Sequence, residues 1–256
     1  MKNIADRYIE SSEKDGVGTA WQFVVREEKA VEEAENPYWK DLNLSLKNAV
    51  VKEIDRSLAK DIIETYEWLG CMPAISQYYY GIFFDGVCGG VVVFGTEYAE
   101  NTGVWDKYDF TGKIILLSRG VCLHWTPKNT NSKLIMSAIK MLPEKYEVVT
   151  ATVDSMAGEI GTIYQACNFN YVGIMRKTKS RSGFILDGKL YGSRSIRAKF
   201  GTQKKERLLE LRPDIQFIKQ VSKSRYFMFR GRHKKTHLSA IKHLIKEYPK
   251  RKSTGD

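Results

Sequence analysis

The run Tyr78-Tyr-Tyr-Gly-Ile-Phe-Phe84, the dipeptide Asp85-Gly86 and the run Val87-Cys-Gly-Gly-Val-Val-Val-Phe94 constrain this chain more than any other stretch. Aromatic and β-branched residues fill both runs, and Asp-Gly accepts the positive φ angles of a two-residue hairpin turn. An antiparallel strand pair is therefore expected across residues 78–94. The pattern recurs as Phe184-Ile-Leu-Asp-Gly-Lys-Leu-Tyr191, a second hairpin. Between the two, Lys113–Leu123 reads as a buried strand with Arg119 in its middle, and Glu147–Val153 as another that ends on Asp154. The spacing of Ala59, Ile62, Ile63, Tyr66 and Leu69 predicts a helix stopped by Gly70. Leu134, Ile135, Ala138 and Met141 predict a second, over 132–142. A short helix over 158–166 leads into a strand around 171–175. Beyond Gly201 follow a helix over 204–211, a strand over 224–229 and a basic helix over 237–248. This order argues for an α/β (α+β) chain whose mixed, largely antiparallel central sheet is flanked by helices.

The net charge of +11 hides an asymmetry. Residues 176–256 carry 24 Lys and Arg against 6 Asp and Glu, whereas residues 1–175 carry 17 against 24. A polyanion partner for the C-terminal third follows, because each neutralised phosphate releases counterions; the alternative is a solvated basic surface. The chain is divided into a polar leader (1–45) with an acidic, helical run at Arg26–Glu35, a core (46–200) and a basic extension (201–256) packed on the core. No apolar stretch follows the first residues and no run of about 18 apolar residues occurs. Neither a secretory signal nor a membrane span is expected, and a cytoplasmic protein is. Cys71, Cys88, Cys122 and Cys167 show no Cys-x-x-Cys spacing, so they read as reduced, mostly buried thiols.

Three places could carry chemistry. The loop Pro127–Ser132 joins a strand to a helix, so its backbone N–H groups and the helix dipole could hold a phosphate; equally, Asn131 or Ser132 could be an ordinary N-cap. Asp154 stands at the carboxyl end of a strand, where sites of open sheets gather, either for proton transfer or as a helix cap, and Tyr164 follows on the next helix with a phenolic proton. His233 and His237 stand four apart, either sharing a helical face for a metal or belonging to a phosphate-facing surface.

The segment Gly161-Thr-Ile-Tyr-Gln-Ala-Cys-Asn-Phe-Asn-Tyr-Val-Gly173 resembles the last motif of the GNAT superfamily: a helix with a tyrosine, a polar–aromatic turn, then a strand with a glycine. That resemblance implies a GNAT-like fold with acetyl-CoA, or a related donor, between two splayed strands, and Tyr164 protonating the departing thiolate. The superfamily's Arg/Gln-x-x-Gly-x-Gly/Ala pattern is absent near Lys128–Lys133, which leaves Asn129, Asn131 and Ser132 as the donor-holding candidates. A narrower resemblance covers most of residues 58–250. Leu69-Gly-Cys-Met-Pro73, Leu117-Ser-Arg119, Asn129-x-x-Ser132, Asp154 with Gly161–Ala166, Ser193-Arg-Ser195, Ser224-Arg-Tyr226 and Tyr248-Pro-Lys250 are similar to the Mom family of phage DNA-modification proteins. Members convert adenine in DNA to an N6-carbamoylmethyl derivative that blocks restriction enzymes, in the host cytoplasm.

By that resemblance the functional arginine, serine, aspartate and tyrosine fall on Arg119, Ser132, Asp154 and Tyr164. The chain departs from the family at Glu67 and Gly192, where histidines are expected. Asp154 would take or orient the amine proton, and Tyr164 would assist the leaving group. Arg119 would pair with a donor phosphate or carboxylate, or hold Asp154 ionised. Tyr66 or Trp68 would stack on a flipped base, and Arg194, Arg225, Arg230, Arg232, Lys234 and Lys235 would meet DNA phosphates. Two other readings are a conventional GNAT N-acetyltransferase acting on a small amine, a protein or an RNA, and a non-enzymatic DNA-binding module.

Overall fold

A computed structural model describes residues 20–73, 75–97, 103–175 and 180–251. It opens with helix α1 (Trp21–Glu32), strand β1 (Val50–Glu53) and helix α2 (Arg56–Tyr66). The latter ends where Glu67 turns to an extended backbone, ψ 137°. The expected hairpin follows as β2 (Tyr78–Phe84) and β3 (Val87–Thr96), antiparallel, with Asp85 at φ 45° and Gly86 at φ 85°. Both angles are positive, as a type I′ turn requires. Strand β4 (Ile114–Cys122), helix α3 (Thr130–Met141), strand β5 (Val148–Val153), helix α4 (Thr162–Ala166) and strand β6 (Asn170–Gly173) complete the middle of the chain.

Next come β7 (Ser180–Leu186), β8 (Lys189–Gly192), α5 (Ser193–Phe200), α6 (Lys205–Leu211), β9 (Gln216–Val221), β10 (Ser224–Phe229) and α7 (Lys234–Ile241). The second hairpin is β7–β8, again across a positive-φ Asp-Gly pair, and β9 extends it into a three-stranded sheet in the order β8-β7-β9. The main sheet has seven strands in the order β1-β2-β3-β4-β5-β10-β6. Every neighbouring pair is antiparallel except β4 and β5, which run parallel. The expected mixed, largely antiparallel sheet with flanking helices is thus the observed architecture.

Both faces of this sheet are covered, which explains why β3 is apolar without alternation. Val92 and Phe94 meet Leu134, Ile135, Ala138 and Ile139 of α3 on one face. Val91 and Val93 meet Ala59 and Ile63 of α2 on the other.

The C-terminal stretch departs from expectation. β10 lies inside the main sheet, between β5 and β6, so residues 201–256 are not an extension packed on a finished core. Its sequence Arg-Tyr-Phe-Met-Phe states the reason: Tyr226 and Phe227 are fully buried. The basic helix is also shorter than expected. It gives way to a 3-10 turn at Lys242–Leu244, after which Lys246 N–H donates to the Tyr171 carbonyl at 2.8 Å. No helix among the described residues is long and apolar enough to cross a membrane.

Candidate active site at the parting of two parallel strands

The β4–β5 ladder holds register from Ile114↔Val148 to Leu117↔Ala151 and stops there. Beyond it β4 runs on against β3 alone, and β5 against β10. The parting has a local cause. Val93 pairs with Arg119 but Phe94 pairs with Leu117, so Ser118 is an extra residue in β4. Its hydroxyl donates to the Val93 carbonyl at 3.0 Å. Such a bulge bends its strand and sharpens the twist, carrying the end of β4 away from β5.

A cavity of about 240 Å³ opens in the gap, walled by both strand ends, by Gly161–Tyr164 and by Glu67 and Trp68. Gly161 has φ 75°, and a Cβ there would stand 2.5 Å from the Tyr226 ring, so this wall requires glycine. Helix α1 supplies the remaining side through Gln22, Phe23 and Arg26. It is anchored firmly. Trp21 sits edge-on to Trp68 at 5.3 Å, Gln22 donates to the Tyr66 carbonyl at 2.8 Å, and Arg26 donates to the His124 carbonyl at 2.7 Å. The polar leader, in which no chemistry was expected, is therefore part of the cavity.

Arg119 and Tyr164 both line the cavity. The Arg119 Nε donates to the Cys71 carbonyl at 3.0 Å and one Nη to the Ser118 carbonyl at 2.7 Å, while Glu67 Oε2 stands 3.9 Å from Nε. Glu67 also accepts from the Leu69 N–H at 3.0 Å. Glu159 accepts from the Trp68 indole N–H and from the Asp154 backbone N–H, both at 2.9 Å. Burial raises both carboxyls above the ordinary range, outweighing Arg119 at Glu67 and the Asp154 N–H at Glu159. Burial, then the charges of Glu159 and Glu67, pushes the Tyr164 phenol up as well. At neutral pH Tyr164 is therefore a proton donor.

Asp154 takes the second of the two roles its position allowed, that of a cap. One of its oxygens accepts from Met156 N–H at 3.2 Å, capping the turn Ser155–Ala157, and the other lies 3.7 Å from Lys223. It is 1% exposed and is not among the residues that line the cavity. The Lys223 ammonium is the cation 3.7 Å from Asp154, and the carboxylate 3.9 Å from the Arg119 Nε is Glu67. Glu67 and Glu159, the carboxylates that do face the cavity, were not singled out as acids by the sequence. Glu67 carried a signal, as the position where the resemblance expects histidine; Glu159 carried none.

On the donor side, α3 is capped by Asn129 in the left-handed region (φ 70°) without a side-chain bond, so neither Asn131 nor Ser132 is the N-cap. Asn129 is exposed, and Ser132 hydrogen-bonds the Cys167 thiol, which burial nevertheless pushes up to about 11. Asn131 lines the cavity, and its Oδ1 is buried without a hydrogen-bond partner.

The expected DNA-contacting residues separate into groups. Arg225 is corrected outright. It is 7% exposed and forks onto Glu97 at 2.8 and 3.2 Å, with Thr150 Oγ1 at 2.9 Å, so it belongs to the interior. Arg230 is half-buried and donates to the carbonyls of Leu142 and Pro143. Arg232, Lys234 and Lys235 are exposed around the start of α7. Arg194 lies in α5, and its side chain is outside the described residues. Of the two aromatics expected to stack on a base, Trp68 lines the cavity, whereas Tyr66 gives its hydroxyl to Glu33 at 2.5 Å and lies off it.

A mixed sheet whose single parallel pair parts over a cavity, beside a helix-borne tyrosine, defines a GNAT-like fold. The family model of the Mom protein family matches residues 48–250, and the chain belongs to that family. It is 25% identical over 205 residues, 78% of this chain and 83% of the relative, to the methylcarbamoylase Mom of Escherichia phage Mu. Among solved structures it is similar to a polyamine N-acetyltransferase of Drosophila melanogaster (8% identity, 72% of this chain, 100% of that one, TM-score 0.40). It is also similar to a GNAT family acetyltransferase of Elizabethkingia anophelis with acetyl-CoA bound (12%, 72% and 99%, TM-score 0.36). At those values the strand order itself, rather than the likeness, characterises the fold.

Proposed function

We propose that this chain transfers a small acyl-derived group from a CoA-type donor to the N6 amine of adenine in DNA, in the cytoplasm of a host cell, and so protects that DNA from restriction. That it is a transferase follows from its family. The observation that carries the reading is the gathering of Arg119, Tyr164, Glu67 and Glu159 where β4 and β5 part, in a Mom-family chain.

Adenine's exocyclic amine is a poor nucleophile, because its lone pair is delocalised into the ring, and a duplex hides it. The base must be flipped, and a proton must leave as the new bond forms. Glu159 and Glu67, whose carboxyls burial raises above the ordinary range, face the cavity as the candidate proton acceptors. Asp154 serves as a positioning residue that holds Glu159 through its backbone N–H and Lys223 through its carboxylate. Tyr164, kept protonated, supplies the proton to the leaving group. Of the aromatics proposed to stack on the base, Trp68 is the one on the cavity wall. The parted strand edges suit a donor arm with amide groups, and the orphaned Asn131 Oδ1 is an acceptor awaiting such an N–H. A CoA donor would supply an activated thioester there. Exposed Arg232, Lys234 and Lys235 would take DNA phosphates.

Nucleoside mass spectrometry of plasmid DNA from expressing cells tests the reading. A modified deoxyadenosine is expected, and Tyr164→Phe should lower its yield by about 10²–10⁴-fold, the usual worth of a general acid. Unmodified DNA from the wild type would overturn the proposal. Acetyl-CoA turnover on a small amine without DNA would point to a conventional N-acetyltransferase instead.

A further inference from the structure

A second cluster of reactive side chains lies at the other end of β5. Glu147 immediately precedes that strand, and His233 and His237 stand at the cap and in the first turn of α7. Glu147 Oε2 is 2.9 Å from His233 Nδ1 and 2.8 Å from His237 Nε2, and Oε1 is also 2.9 Å from His233 Nδ1. One ligand atom from each residue lies within 4.8 Å of the other two. Glu147 and the two histidines come from separate parts of the chain and are brought together by the fold. His237 is buried and stands edge-on to Phe110 at 5.5 Å. The Glu147 carbonyl accepts from Arg230 N–H at 2.9 Å, which fixes its backbone. The His233 side chain is 49% exposed, leaving a way in and room for water.

We propose that Glu147, His233 and His237 bind one divalent first-row transition-metal ion such as zinc. Two imidazole nitrogens and a carboxylate oxygen are the donor set that such ions favour, and three protein ligands leave a position for water. Bonds of about 2.0–2.2 Å to a central ion would replace the direct hydrogen bonds. The six-residue strand β5 separates this cluster from the cavity by about 20 Å at roughly 3.3 Å per residue. The ion's work is therefore to fasten α7 to the sheet, and so to fix the frame on which Arg232, Lys234 and Lys235 are displayed. Those cations oppose a bound metal, so the site relies on the inner triad rather than on the field around it.

The test uses the full chain, stripped with chelator and titrated with Zn²⁺ by calorimetry, and does not depend on any DNA-modifying activity. One equivalent per chain and a higher melting temperature are expected. His233→Ala, at an exposed position, and Glu147→Gln should each weaken binding at least tenfold with circular dichroism unchanged. Cobalt(II) titration of the wild type gives a second readout, through visible absorption bands that His233→Ala abolishes. No binding heat and no thermal shift would reduce the triad to a hydrogen-bonded cluster. Equal affinity in wild type and His233→Ala would place the ion elsewhere, and either result overturns the proposal.

Discussion

Glu97 and Arg225 should behave as a structural pair whose halves are each far more costly to lose than both together. Glu97 is fully buried and Arg225 is 7% exposed, with its guanidinium 5.1 Å from the Trp105 ring centre and 6.0 Å from that of Phe227. Truncating Glu97 to Ala leaves a cation among aromatic rings with Thr150 Oγ1 as its remaining neighbour of the pair's network. Removing one partner of a buried pair costs about 3–5 kcal/mol. At roughly 2–4 °C per kcal/mol for a chain of this size, the melting temperature should fall by about 6–20 °C. The double variant Glu97→Leu/Arg225→Met removes both desolvation costs, and Thr150 keeps its bond to the Tyr226 carbonyl at 3.2 Å. It should lie within about 1 kcal/mol of the wild type, or above it. Urea unfolding followed by circular dichroism measures all three proteins. A Glu97→Ala cost below about 1 kcal/mol, or a double variant as unstable as the single, would refute the reasoning. So would a DNA-binding salt slope that drops by about one phosphate contact in the double variant, since that would return Arg225 to the surface.

The exposed cations make the opposite forecast: Lys234→Ala and Lys235→Ala should each reduce the slope of log K against log salt by about 0.9 on duplex DNA while leaving melting temperature unchanged, as read by fluorescence anisotropy. Glu67→Gln should alter how stability depends on pH. The Glu67 carboxyl, facing Arg119, Glu159, Lys223 and the Leu69 N–H, titrates higher folded than unfolded. Its contribution is therefore full below the unfolded value and is lost as pH rises through the folded one. Thermal melts over that window should show the Gln variant gaining on the wild type as pH rises; a Gln variant that loses ground to the wild type as pH rises would reverse the assignment.

How far the sequence reveals this molecule depends on whether the signal is local. The two hairpins were legible because Asp85-Gly86 and Asp187-Gly188 satisfy their turns by themselves, and α3 because its apolar stripe has one period. The bulge at Ser118 was not: it exists through a register mismatch between β3 and β4, and no residue type announces it. Arg119 and Tyr164 were found through a motif and do meet at one cavity, yet the acids beside them were missed. Glu67 sits at a helix end and Glu159 in a loop, places where a carboxylate is ordinarily solvated; only the closing of α1 and Trp68 over them makes them buried. Arg225 failed in the converse way. Charge counted along the chain cannot say which side of a strand a side chain takes, and the partner that draws it inward, Glu97, lies on the far side of the sequence. Strand β1 was missed because it is four residues long, and β9 because its apolar residues do not alternate with its polar ones; each gains its place from the neighbour it pairs with.

The insertion of β10 between β5 and β6 has a consequence for the making of the protein. As the chain emerges in order during synthesis, β5 is complete before residues 154–223 exist, and its outer edge then has no neighbour. β6 follows soon after but cannot take that edge, because its place is one strand further out. For that interval the half of the sheet bordering the cavity presents an unpaired edge rich in valine, the kind of surface on which nascent chains associate wrongly. The cavity can therefore be finished only once residues 224–229 have been made and join β5 to β6 in a single step.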